Sequence, residues 1–188
     1  MKRGIMAMVI VATMAFAGFL SAQATTEVFT ATATAKDATR SAAEPVKIVI
    51  TGYLTEADRD AAIDALKKGG TTALQQALDK MKDLGTIEVK GITTPIKYAY
   101  SRSMGPGAGR IVTLITAKPI LYIGGNEAGA KPKAGYDVAI ALLILDTDGK
   151  GDGEINPAAK IKLDDQGAVV TDDYGTVKVW LKNVAKAK

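Results

Sequence analysis

Asp146, Asp148, Asp152 and Glu154 stand in the stretch LDTDGKGDGEINP, residues 145–157. Carboxylates at alternate positions with glycines between them are the raw material of a calcium loop. A hard cation needs several oxygens converging within one tight turn, and Gly149, Gly151 and Gly153 would let the backbone bend around it. The stretch departs from the EF-hand pattern where it matters. Lys150 falls where the third ligand is due, Pro157 stands where a bidentate glutamate should close the loop, and a strand-like segment precedes it instead of a helix. The same residues make a polar hairpin turn, in which Asp and Gly satisfy turn geometry. The departures favour the turn. A weak calcium site, structural in role, is the alternative, and no other cofactor is expected.

The rest of the inventory narrows the chemistry. The chain has no histidine and no cysteine. The usual base for a serine or cysteine nucleophile is therefore missing, as are the common ligands of zinc and copper. Carboxylate pairs, lysine and tyrosine are what remain. Asp164-Asp165 and Asp172-Asp173 are adjacent pairs, and neighbours on a strand point to opposite faces, so neither pair shares a proton naturally. SRSMGPGAGR (101–110) is glycine-rich, but a strand pattern follows it and no GK[ST] ends it, which makes it a hairpin loop and not a phosphate cradle. No catalytic residue is assigned.

Two places could contact a ligand or partner. In TVKVWLK, strand alternation puts Val177, Val179 and Leu181 on one face and Lys178, Trp180 and Lys182 on the other. The only tryptophan in the chain thus falls on the face that should be wet. Flanked by lysines, it suits an anionic partner, a glycan or a protein contact. The favoured reading covers Trp180 with a loop, the N-terminal segment or the helices, because a large aromatic is usually well buried. Tyr98 and Tyr100, two apart beside Arg102, could form a stacking platform, or simply a half-buried sheet face. Lys131-Pro132-Lys133 lies in a glycine-bearing loop that reads as a solvated connection.

The elements that must position these groups follow from the patterning. MKRGIMAMVIVATMAFAGFLSAQA (1–24) has a basic start, an apolar run from Ile5 to Leu20 shorter than the ~20 residues of a membrane span, and an Ala22-Gln23-Ala24 cleavage pattern. It reads as a secretory signal peptide, which sends the protein to the periplasm or medium with no stable membrane span after cleavage. Thr25–Pro45, rich in Thr and Ala, lacks the large apolar residues that offset ordering entropy and reads as a spacer, with TATATA as a weaker edge-strand candidate. A single domain then occupies 46–188. Val46–Tyr53 is a strand. Thr55 caps a helix stopped by Gly69 and Gly70, and Thr72 with Gln75 caps a second that ends at Gly85, giving a helical hairpin. Strands follow, with Tyr136–Asp146, apolar on both faces, as the centre of the sheet. Ala139 and Ala141 on one side would let a helix approach closely. The fold class is α+β: one largely antiparallel sheet with an N-terminal helical hairpin packed on it, a β-sandwich or barrel-like body carrying the hairpin being the alternative.

An apolar share of 47% and a chain long enough to bury a core without disulfides fit such a domain. The 24 basic residues fall to 22 without Lys2 and Arg3, against 20 acidic, so the charge is nearly balanced and carries no nucleic-acid footprint. TPIKYAYSR, GRIVTLITAKPI, KPKAGYDVAIALLILD and VVTDDYG, in that order, resemble a family of uncharacterised secreted bacterial proteins. The resemblance implies export and a single domain and carries no mechanism. The expected function is an exported, non-enzymatic module that binds a protein, glycan or small apolar ligand. An exported carboxylate- or ion-dependent hydrolase and a structural envelope protein with a weak calcium site are the alternatives.

Overall fold

The computed structural model describes residues 26–36, 41–120, 133–175 and 177–187. The expected signal peptide (1–24) and Lys131-Pro132 lie outside them. β-branched and alternating runs give ten strands: β1 (Glu27–Lys36), β2 (Ser41–Ile50), β3 (Gly85–Val89), β4 (Ile92–Ile96), β5 (Tyr98–Ser103), β6 (Arg110–Thr116), β7 (Val138–Leu145), β8 (Lys150–Leu163), β9 (Val169–Tyr174) and β10 (Val179–Lys186). One helical element, α1 (Glu56–Asp79), follows β2. The strands pair in the order β4-β3-β2-β1-β10-β8-β7-β6-β5, with β9 branching from β8. Each pairing is antiparallel.

The two ends of that order are chain neighbours. Only Lys97 separates β4 from β5, so 92–103 is one bent path whose first half pairs with β3 and second half with β6. At the bend Leu84 N donates to Ile96 O and Lys97 N to Ile115 O, at 2.8 and 2.9 Å. The sheet thereby nearly closes on itself as a barrel. Near-closure covers much of the edge at which a sheet would otherwise recruit another chain. The molecule is mainly sheet, nearer the barrel-like alternative than an open sheet with a helical layer.

Alternation fills the interior. Phe29, Ile48, Ile87, Ile96, Val112, Leu114, Leu143, Leu145, Ile155, Val179 and Leu181 form one buried cluster, each side chain coming from the inward face of its strand. The expected spacer belongs to this body. β1 lies between β2 and β10, with Phe29, Ala31, Ala33 and Ala35 buried. TATATA is a strand pattern written with a small inward residue. What the sequence reading took for missing apolar bulk is alanine facing large side chains across a barrel. β7 sits between β6 and β8, as its two-sided apolarity predicts. Ala139 and Ala141 face the barrel interior, however, and the helix side is taken by Val138 and Ile140.

A second core lies outside the barrel wall. Ala62, Ile63, Leu66, Leu74 and Leu78 of α1 pack with Tyr98, Ile115, Val138, Ile140, Ala159, Ile161 and Val169. Thr55 caps α1 by accepting from Asp58 N at 3.2 Å, with Glu56 and Asp58 in the first turn, where the helix dipole favours acids. Non-helical backbone interrupts α1 at Gly69 and Gly70, where the φ of +65° at Gly70 suits glycine. The expected Thr72–Gln75 cap does not form. Thr72 donates to Asp137 and Gln75 to Ala117 O, so both side chains serve tertiary contacts. The helix also ends at Asp79, and Leu84 joins the barrel interior. Among the described residues no helix is long and apolar enough to cross a membrane.

Candidate functional site

The acidic stretch resolves into a turn and a strand. Asp146 Oδ1 accepts from the backbone N–H of Asp148 and Lys150, at 2.9 and 2.8 Å, and so closes the β7–β8 turn. Asp152 pairs with Lys182 at 2.8 Å, and that hydrogen bond holds its carboxyl below the usual carboxylate range. Glu154 pairs with Lys178. Gly151 and Gly153 do not serve loop flexibility. A Cβ at either would lie 1.9 Å from Ile144 O or 2.4 Å from Leu142 O, so they allow the close approach of β8 to β7. Pro157 lies within β8, near the register shift between Val138 and Ile140 opposite, and its carbonyl accepts from Ile120 N. Asp146, Asp152 and Glu154 thus serve three separate tasks, and Asp148 lies exposed in the turn. Among the described residues no group of three or more carboxylates converges as a metal centre requires. Asp146→Ala should cost about 1 kcal/mol of stability, the scale of a lost side-chain cap, and a urea midpoint checks it.

Trp180 is on the outward face, 47% exposed. Cross-strand register puts Tyr100, Thr113, Leu142, Glu154, Trp180 and Thr34 in one row around the outside of the barrel. Lys178 Nζ lies 4.4 Å from the Trp180 ring centre and 6.0 Å from that of Tyr174, which is 46% exposed. Beside this pair a groove of about 180 Å³ is lined by Ile140, Leu142, Glu154, Asn156, Thr171 and Tyr174, among others. Asn156 is buried at 2% exposure. It donates from Nδ2 to Thr171 Oγ1 at 2.6 Å, and its Oδ1 has no partner among the described residues. An unpaired buried amide oxygen is costly, and such a cost is tolerated where a ligand or water completes the bonding. Sequence reading missed Asn156 and Tyr174, because nothing local marks a residue whose partner comes from the next strand.

Tyr98 and Tyr100 do not form an exposed platform. Tyr98 is 2% exposed, and burial pushes its hydroxyl pKa up, with Arg59 opposing. The guanidinium stacked on Tyr100 is that of Arg59, 4.6 Å from the ring centre, and not that of Arg102. Both tyrosines and both arginines line a cavity of about 240 Å³ beneath α1, which adjoins the groove and shares Leu142, Val169 and Val170 with it.

One ion cluster had no signal in the sequence. Glu27 Oε1 accepts from Arg110 Nη2 and Lys186 Nζ, each at 2.7 Å, and Oε2 accepts from the Tyr53 hydroxyl at 2.5 Å. Burial alone would push the Glu27 pKa up; the hydrogen bonds from Arg110, Lys186 and Tyr53 reverse this and hold it at about 2. Burial, with the bond to Glu27, drives the Tyr53 hydroxyl the other way. A carboxylate so saturated is a structural lock and is poorly suited to moving protons. β1 and β6 are not neighbours in the sheet, so the cluster ties strands across one barrel mouth.

Comparison with known proteins finds no match: no protein-family model, no curated protein and no solved structure is significantly similar to the chain. The geometry above therefore carries the functional reading alone.

Proposed function

We propose that the protein is an exported, non-enzymatic binding module whose recognition surface is the outer face around Trp180, and that its ligand is a glycan. The observation that carries this reading is the pairing of two exposed aromatics, Trp180 and Tyr174, with the groove that holds the unpaired Asn156 amide. Aromatic faces pack against the C–H faces of sugar rings. A hydroxyl both donates and accepts, so it answers the Asn156 amide in either of its orientations. Glu154 and Thr171 supply further polar contacts along the same groove, with Lys178 paired to Glu154 beside it. The interruption at Gly69–Gly70 divides α1 into two arms of a helical hairpin that packs beside the groove, against Ile140 and Val169, and leaves Trp180 uncovered.

A glycan array followed by calorimetry on the best ligand tests this. Trp180→Ala should weaken that ligand by about tenfold or more, the effect of losing an aromatic anchor. A strong array signal that Trp180→Ala and Tyr174→Ala leave unchanged rejects the assignment. Export is tested by fractionating the native host and finding the chain processed after Ala24.

A further inference from the structure

We propose that the cavity beneath α1 binds a small monocarboxylate with an apolar body, at a site that adjoins the groove beside Trp180 and shares Leu142, Val169 and Val170 with it. Arg59 is the first reason. It lies in the first turn of α1, where a cation opposes the helix dipole, so helix stability does not explain it. Its side chain is largely buried, and among the described residues its Nε has no hydrogen-bond partner, while Nη2 reaches Gly167 O at 3.4 Å and the Tyr98 hydroxyl lies against the guanidinium. The Nε–Nη2 edge is the edge that a carboxylate takes bidentately. Its ion pairs with Glu56 and Asp60 are loose, at 3.9 and 3.7 Å.

The lining is the second reason. Tyr98 and Arg102 add donors, while Ile111, Leu142, Val169 and Val170 form apolar walls. At about 240 Å³ the cavity falls below the ~300–1,000 Å³ of drug-sized sites, so the ligand is small. Glu56, Asp60 and Asp164 stand around the same guanidinium or in the lining and would repel a dianion. One negative charge on an apolar body is what this arrangement accommodates.

Benzoate, benzamide and inorganic phosphate are the probes, read by calorimetry and by the ¹⁵N-edited Nε–H resonance of Arg59. Benzoate should bind saturably and shift that resonance, with benzamide and phosphate each weaker by about tenfold or more, the scale of one charge-assisted hydrogen bond. Arg59→Lys, which keeps the charge and loses the fork, should weaken benzoate by about tenfold. Arg102→Gln, at the exposed rim, keeps the fold and should weaken benzoate about threefold. The proposal is overturned by the absence of saturable benzoate binding, by benzamide or phosphate binding as well as benzoate, or by a folded Arg59→Lys that binds unchanged. Should Arg59→Lys fail to fold, the three-probe comparison on the native chain and Arg102→Gln decide the matter.

Discussion

Glu27→Ala is expected to lower the unfolding free energy by about 3–5 kcal/mol, because it strands Arg110 and Lys186 at the barrel mouth with no anion between them. Urea denaturation at neutral pH measures it, and a loss below about 1 kcal/mol would mean that the cluster is decorative. The same carboxylate sets an acid limb in the wild type. Its folded pKa of about 2 lies below the ordinary 4.5, so its contribution is complete above the ordinary value and is lost as pH falls through the folded one. Allowing for solvent at the mouth, that limb is worth about 2 kcal/mol between pH 5 and 2. Glu27→Gln should flatten it. An unaltered acid slope in that variant would assign the pH dependence elsewhere.

Phe29→Ala is the second large effect, expected at about 3–5 kcal/mol. Phe29 is fully buried, and its strand is hydrogen-bonded on both sides, to β2 and to β10. Thr30→Lys, one residue on and on the outward face, should change stability by no more than about 0.5 kcal/mol. That contrast reports directly on whether β1 is part of the barrel. Equal and small effects at both positions would return the segment to a spacer.

What was legible was local. The Thr55 cap, the break at Gly69-Gly70, the strand at Val46–Ile50 and the two-faced apolarity of Val138–Leu145 each depend on neighbours in sequence. Alternation put Trp180 on the outward face, where it is exposed, against the favoured expectation that a lone large aromatic would be covered. What escaped depended on partners far along the chain. β1 reads as polar because its alanines acquire meaning only opposite Phe- and Ile-sized residues of other strands. Thr72 and Gln75 look like a cap until Asp137 and the Ala117 carbonyl offer better bonds. Gly151 and Gly153 look like loop residues until the Ile144 and Leu142 carbonyls close in on them. Glu27 meets Arg110 and Lys186 across separations of 83 and 159 residues, and no window of sequence contains all three.

The pairing of Phe29 with Lys186 has a consequence for how the chain is made. β1 finds one of its two neighbours only when the last strand has been synthesised. A polypeptide delivered N-terminus first pairs β1 with β2 early but must hold the other edge of β1 unpaired until β10 emerges, within reach of chaperones and proteases. Such late, long-range zippering is slow, on the order of milliseconds to seconds, in contrast to helical proteins that settle as they emerge. It would keep a nascent chain threadable until the final residues arrive.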